Sequence, residues 1–256
     1  MPNEHSSPPQ RTITGVAATI RHWRDGVGRP QGYYIPYRYA GDTGTPPAPA
    51  WLLERLDLAS PRMRDCLEKA ARLNGSLRPL ARKRDAQING ARYDQTWFTG
   101  LDATLAYTFV HSQQPQRIVE VGSGHSTRFL SQALADSTSR GELISIDPQP
   151  RREIDTLCSQ IHRVPVTHCD VELFASLGAG DILFLDGSHI MMPGTDVDFV
   201  FSTVLPVLER GVLIHIHDIF LPDPYPDAWR WRSYNEQQTV CALIGTGRFN
   251  IAAASA

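Results

Sequence analysis

The chain lacks most of what marks a secreted, membrane or nucleic-acid-binding protein. Its 256 residues include only four cysteines, with no CxxC pair and no zinc-ligand spacing, so we expect reduced thiols. No run of about 18 apolar residues occurs, and the first residues lack the apolar stretch of a signal peptide. Lys+Arg 25 against Asp+Glu 27 gives a net charge of -2, which disfavours charge-driven nucleic-acid binding. We therefore predict a cytoplasmic protein that acts on neither membranes nor nucleic acid.

The first part of the chain differs in composition from the rest. Proline and glycine interrupt the first fifty residues too often for a regular element. We therefore predict an irregular N-terminal segment over 1–58, with a substrate cap as its candidate role, and a second domain over 59–256. Ser60 and Pro61 are typical of a helix start, and a further helix is expected around 96–112.

After residue 115, short β-branched runs alternate with helical segments. Runs that are nearly continuous in apolar residues and separated by helices are typical of a parallel sheet covered on both faces. We predict an α/β fold, a doubly wound, mostly parallel Rossmann-like sheet, in which ligands bind beyond the carboxyl ends of the strands. The predicted strands are 117–121, 142–147, 163–170, 181–186 and 211–218, the predicted helices are 126–136 and 196–208, and final strands or an edge hairpin are expected in 241–254.

Small and acidic residues follow the first three predicted strands. Gly122, Ser123 and Gly124 come after the first, where they allow either a nucleotide to approach the backbone or simply a tight turn into the next helix. Asp147 ends the second strand and is placed to accept hydrogen bonds from a ribose diol. Asp170 ends the third and suits an adenine amino group. Either acid, taken singly, is equally compatible with a carboxylate that caps a loop.

Four motifs together resemble class I S-adenosylmethionine (SAM)-dependent methyltransferases in their order and spacing. They are VEVGSGHST, SIDPQP, CDVELF and FLDGSH, and the resemblance covers roughly residues 95 to 245. It implies a methyltransferase sheet with SAM as the cofactor. The candidate cofactor-binding residues are then Glu120, Gly122, Ser123, Gly124, Ser126, Asp147, Asp170, Val171 and Asp186.

The segments DGSH and HIHD carry the candidate chemistry. On neighbouring strands, Asp186 and Asp218 would lie side by side, and paired carboxylates repel unless a proton or a cation lies between them. A divalent metal satisfies that need; the alternative is a hydrogen-bonded strand end, and His215 is expected to pack against the covering helices. The segments resemble metal-dependent O-methyltransferases of the catechol and macrolide-sugar types. This resemblance implies magnesium held by Asp186 and an acid pair after the fifth strand, with His189 as the general base. Here His217 replaces the first acid of that pair, and the set of Asp186, His217 and Asp218 would also suit Mn or Fe(II).

The leading functional hypothesis is SAM-dependent methyl transfer to a hydroxyl, or less favourably an amine, of a small molecule such as a natural-product precursor. Asp186 and His189 are its catalytic candidates, with the metal lowering the hydroxyl pKa and His189 taking the proton. The alternatives are another chemistry in the same pocket, such as aminopropyl transfer or cyclisation, and a catalytically silent partner subunit. A homodimer is the expected assembly.

Aromatic residues cluster in two segments whose roles stay open at this stage. Residues 219–238 are predicted to form a lid over the substrate, and the alternative is a packed connection or a dimer contact. The N-terminal tyrosines carry the same ambiguity. The residues concerned are Trp229, Trp231 and Tyr234, with Arg230 and Arg232 beside them, and Tyr33, Tyr34, Tyr37 and Tyr39.

Overall fold

A computed structural model describes residues 37–39, 42–44, 46–81, 90–98 and 100–255, without the side chain of Arg230. The chain divides into two compact units, Met1–Pro47 and Ala48–Ala256. In the first unit the rings of Tyr37 and Tyr39 meet edge to face at 5.9 Å, whereas Tyr33 and Tyr34 fall outside the described residues.

Three helices precede the sheet in the second unit: α1 (Ala50–Arg72), α2 (Asn74–Leu80) and α3 (Gly100–Gln113). The prediction of an irregular segment up to residue 58 and a helix start at Ser60 was wrong, since α1 begins at Ala50 and contains Pro61. The residues before Pro61 are mostly strong helix formers, and Leu52 is buried with 1% exposure, so packing and propensity both favour the longer helix.

Five parallel strands form one sheet, which confirms the predicted α/β, Rossmann-like architecture. The strands are β1 (Arg117–Val121), β2 (Glu142–Ile146), β3 (Gln160–His162), β4 (Ile182–Leu185) and β5 (Leu213–Ile216), in the order β3-β2-β1-β4-β5. The connection from β3 to β4 crosses the sheet, so the strand order reverses between β1 and β4. In open α/β sheets the crevice at that switch point binds the ligand.

The third strand was predicted at 163–170, and that prediction was wrong. The strand ends at His162, and a short 3₁₀ turn, Val166–His168, follows Pro165. Proline lacks the N–H that a ladder needs, so the run after Pro165 is unsuited to a strand inside the sheet.

Alternate residues of the strands feed two separate apolar cores. Ile118 and Phe184 point to the face covered by α3 and by α4 (His125–Asp136). Val119 and Leu183 point to the other face, where Phe174 and Val200 pack. The strands are therefore buried on both faces, which explains their continuous apolar runs.

The remaining helices complete the second unit. They are α5 (Glu172–Ala175), α6 (Asp196–Phe199) and α7 (Glu236–Gly245), and α6 continues as a π turn, Val200–Val204, and a 3₁₀ turn, Leu205–Val207. The strands or hairpin expected in 241–254 were wrong: the segment holds the end of α7 and then irregular chain. Among the described residues, no helix is both long and apolar enough to span a bilayer.

Candidate active site

A cavity of about 620 Å³ opens at the carboxyl ends of β1 and β4, where the strand order reverses. That volume is within the usual range for a small-molecule site. The cavity extends from the loops after β1 and β2 to the turns after β4 and β5. Its lining includes five of the residues predicted to bind the cofactor: Gly122, Ser123, Gly124, Asp147 and Asp186.

The turn after β1 is held tightly between the ends of β2 and β4. Gly122 has a φ of +81°, and a Cβ at this position would collide with the backbone carbonyl of Asp186. The N–H and Oγ of Ser123 both donate to Oδ2 of Asp147 at 2.9 Å. At Gly124 a Cβ would enter open space, so glycine keeps the cavity clear there. We call Gly122, Ser123, Gly124 and Asp147 the nucleoside cradle, after the ligand that the sequence predicts for them.

Glu120 and Ser126 lie behind that cradle and do not line the cavity. Glu120 is fully buried and accepts hydrogen bonds from the hydroxyls of Ser126 and Thr127, each at 2.7 Å. Burial, opposed by these two hydrogen bonds, raises the pKa of Glu120 to about 8. Thr127 in turn accepts from the Gly124 N–H at 2.9 Å, so the carboxyl group fixes the glycine loop on the first turn of α4.

The corner expected to receive an adenine is built by residues other than the predicted ones. Asp170 and Val171 do not line the cavity, and Asp170 accepts from the Glu172 N–H at 3.0 Å, which caps α5. Pro165, Val166 and Thr167 line the cavity instead. These residues replace the predicted ones because β3 ends at His162, before the predicted strand, and the turn after Pro165 then lies at the cavity edge.

Asp186, His189 and Asp218 form the opposite rim of the cavity. Nε2 of His189 lies 3.5 Å from Oδ1 of Asp186 and 3.6 Å from Oδ2 of Asp218, so the imidazole lies between the two carboxylates. His189 and Asp218 both have left-handed backbones, with φ of +58° and +55°. Such conformations in residues other than glycine store strain and cluster at functional sites.

Glu236, at the start of α7, holds the other side of the His189 ring. Its Oε2 lies 2.9 Å from Nδ1 of His189, and both side chains are about 95% buried. Burial alone disfavours the imidazolium, but the hydrogen bonds and charges of Asp186 and Glu236 outweigh it and raise the pKa of His189 to about 10. Nδ1 therefore carries a proton toward Glu236, and Nε2 lies between Asp186 and Asp218, which line the cavity with His189. Sequence reasoning missed Glu236, for which no local motif exists.

Burial also acts on the two acids of the rim, with different results. It raises the pKa of Asp218, which lies in the turn after β5. Burial acts in the same direction on Asp186, but the hydrogen bond from His189 and the nearby histidine charges keep the pKa of Asp186 below its usual value. Asp186 is therefore ionised at neutral pH and gives the cavity lining a negative charge.

The predicted metal set of Asp186, His217 and Asp218 does not fit a metal ion in this arrangement. Over residues 37–255, apart from the gaps given above, no group of three His, Cys, Asp or Glu side chains is placed to hold one. Nε2 of His217 faces the Trp97 carbonyl at 3.4 Å and Oδ1 of Asp218 at 3.3 Å. Between the two aspartates lies the His189 ring, which supplies the positive charge that the carboxylate pair needs.

His215 packs as expected, away from the cavity. Its ring stacks on Phe184 with 4.2 Å between centroids. Burial, helped by the charge of His217, lowers the pKa of His215 to about 3, so the ring is neutral.

The aromatic segment after β5 closes one side of the cavity. Tyr234 and Arg232 line it, and the Tyr234 ring lies 4.6 Å from that of His189. Arg232 lies over Trp229 at 4.0 Å, whereas Trp231 is 78% exposed. The backbone N–H of Asn235 donates to the His189 carbonyl at 3.1 Å, so the segment and the His189 turn are joined.

The cavity lies at the switch point of a five-stranded parallel sheet, with a buried histidine and two acids opposite the glycine turn, and Rossmann-like α/β proteins bind their ligands at this place. Residues 119–219 match the model of a family described as a methyltransferase domain. This match covers about two fifths of the chain, and over those residues the chain is similar to methyltransferases.

Two solved structures are distantly similar to the chain. A methyltransferase from Podospora anserina bound to S-adenosylhomocysteine (SAH) is 16% identical, with a TM-score of 0.42 over 95% of this chain and 89% of that one. An O-methyltransferase from Bacillus cereus in complex with SAH is 16% identical, with a TM-score of 0.34 over 59% of this chain and 64% of that one. No curated protein sequence matches.

Proposed function

We propose that the enzyme methylates a hydroxyl group of a small molecule and that His189 accepts the hydroxyl proton. The observation that carries this proposal is the buried His189 ring in the cavity lining, with Nδ1 held by Glu236 at 2.9 Å and Nε2 between the carboxylates of Asp186 and Asp218. A hydroxyl must lose its proton as the methyl group is transferred, and a positioned imidazole is a common base for that step. A neutral amine has a free lone pair and needs no base before attack.

SAM supplies a methyl group already activated on a positively charged sulfur. The cradle of Gly122, Ser123 and Asp147 would bind and orient its nucleoside end. Positioning of this kind provides much of the acceleration that such a transfer needs. Asp186, ionised and at the cavity rim, would attract the positive charge to the methyl-transfer end.

The raised pKa of His189 sets the order of proton steps. The pKa of His189 is about 10, so its ring holds a proton in the ligand-free protein at neutral pH. A cation bound beside it lowers that pKa, so His189 would release its proton to solvent as the cavity fills. It would then take the hydroxyl proton while the oxygen–carbon bond forms and the sulfur–carbon bond breaks. The cycle ends with His189 protonated, as it began.

The assignment is tested by replacing His189 with alanine. With SAM and a panel of phenols, hydroxy acids and sugars, SAH formation should fall by about 10²- to 10⁴-fold, because the acceptor oxygen loses its base. The affinity for SAH should stay within about twofold, since His189 is not part of the cradle. His168→Ala, at an exposed histidine outside the cavity lining, is the matched control. Unchanged turnover in His189→Ala would refute the role of the base.

The proposed mechanism contains no metal-dependent step, because the rim residues do not form a set of metal ligands. Addition of Mg²⁺, Mn²⁺ or Fe²⁺ to chelator-treated protein should therefore leave SAH formation within about twofold. A large metal stimulation that is lost in Asp218→Asn would instead support the metal-dependent reading of the same rim.

A further inference from the structure

Four basic side chains lie close enough to shift one another's pKa beside the cavity, and we call them the cationic corner: Arg92, His125, Arg128 and Arg152. His125 and Arg128 lie one turn apart at the start of α4, so they share a helix face. Arg92 lies in the segment before α3, and Arg152 follows β2. His125 and Arg152 line the same cavity as the nucleoside cradle.

Two members of the cationic corner, His125 and Arg128, are buried, whereas Arg152 is exposed. His125 is 7% exposed and Arg128 4% exposed. Within the described residues, Nδ1 of His125 and Nε of Arg128 are buried and make no hydrogen bond, whereas Nε of Arg92 lies 3.4 Å from Oδ1 of Asp94. Since an unpaired buried polar group costs stability, this arrangement calls for a partner that enters from the cavity.

Positive charges predominate among the described groups that act on His125. Three are the guanidinium groups of Arg92, Arg128 and Arg152, and one is the carboxylate of Asp94, whose Oδ1 lies 3.4 Å from Nε of Arg92. Burial and the neighbouring guanidiniums of Arg92 and Arg152 lower the pKa of Arg128. Burial and the same positive field lower the pKa of His125 to about 4, so its ring is neutral and has one N–H to donate. The corner thus offers positive charge and several unused N–H donors.

An oxyanion matches this chemistry better than the cofactor's amino acid end does. The methionine part of SAM carries an ammonium next to its carboxylate, and three guanidinium groups would repel that ammonium. A carboxylate or phosphate on the acceptor has no such second charge, and arginine binds both in a two-pronged geometry. Resting on the methyltransferase function proposed above, we propose that the cationic corner binds an oxyanion group, a carboxylate or a phosphate, on the hydroxyl-bearing acceptor.

The test uses the full chain with saturating SAH and inorganic phosphate as the probe. Phosphate is titrated against sodium chloride of equal ionic strength, and thermal unfolding reports binding through the rise in midpoint. Arg152→Gln, at an exposed side chain, should raise the phosphate dissociation constant at least about tenfold, because a charge-assisted contact is lost. Arg72→Gln on α1, whose side chain is 72% exposed, is the matched control and should respond as the wild type does.

A second arm separates the acceptor from the cofactor as the source of the oxyanion. Calorimetry compares SAH with 5′-methylthioadenosine, which lacks the amino acid end, in the wild type and in Arg152→Gln. Equal affinities of both proteins for SAH support the proposal. Competition between phosphate and SAH, or weaker SAH binding with unchanged 5′-methylthioadenosine binding in the variant, would assign the corner to the cofactor and overturn it.

The failures of the two proposals are distinguishable in this design. A midpoint that rises with SAH but not with added phosphate overturns the cationic corner and leaves the methyltransferase function intact. A rise in midpoint with phosphate that is as large in Arg152→Gln as in the wild type also overturns the cationic corner and leaves the methyltransferase function intact. A midpoint that does not rise with SAH overturns the function and the inference together.

Discussion

Substitution of Glu236 by glutamine tests how the catalytic ring is held. The change keeps the size of the side chain but removes the charge that lies 2.9 Å from Nδ1 of His189. A buried hydrogen bond to a charged group contributes about 1.5–3 kcal/mol. Because one pKa unit corresponds to about 1.4 kcal/mol, the pKa of His189 should fall by about 1 to 2 units from its value of about 10.

The effect on stability follows from the direction of the pKa shift. The pKa of His189 is raised on folding, so the protonated ring stabilises the folded protein at low pH, and this contribution is lost as pH rises toward about 10. In Glu236→Gln this contribution to stability should be fully lost at a pH about 1 to 2 units lower than in the wild type. The variant should therefore be less stable by about 2 kcal/mol at pH 7, and the difference should shrink between about pH 8 and pH 10.

Urea unfolding of the wild type and Glu236→Gln at several pH values measures this difference. Glu172→Gln is the matched control, because Glu172 is also an acid in the first turn of a helix but is exposed and has no histidine partner. The pH dependence of SAH formation should shift in the same direction, with activity reaching its plateau at lower pH in Glu236→Gln. A stability difference that is the same at pH 7 and pH 10 would refute the reasoning, since it would show that Glu236 acts by packing alone.

Two further predictions concern the nucleoside cradle. Gly122→Ala should unfold at a clearly lower temperature and lose SAH binding, because φ is +81° and the added methyl group collides with the Asp186 carbonyl. Gly75→Ala on α2, where the Cβ meets nothing and which does not line the cavity, is the control, and equal losses in both would contradict the collision. Asp147→Asn should weaken SAH binding by about tenfold, since an amide replaces the acid expected on the ribose; calorimetry measures it, and unchanged affinity would place the ribose elsewhere.

The sheet was largely predictable because its signals are local. Each buried strand is a short apolar run, and β1 was placed at its observed bounds from five consecutive residues. The errors arose where a local sequence signal is outweighed by a neighbouring proline or by packing. The run after Pro165 reads as a strand but cannot complete a ladder, and α1 extends through Pro61 because packing outweighs the proline signal.

The site was predictable only where its residues follow a strand directly. Ser123, Asp147 and His189 lie at strand ends, so sequence order placed them near the cavity. Glu236 is 47 residues from His189, and no short-range pattern links them. The cationic corner is similar, since Arg92 and Arg128 lie on different elements and meet only after α4 packs on the sheet. Contacts between distant segments depend on packing, which the spacing of residues does not record.

The left-handed backbones of His189 and Asp218 set strain against charge in this enzyme. Each turn costs about 1–3 kcal/mol in a residue other than glycine. Glycine at position 189 would relieve that strain, but it would leave the carboxylates of Asp186, Asp218 and Glu236 without the imidazole that lies among them. A library selected only for heat resistance should therefore keep His189 and accept glycine or asparagine at position 218 alone.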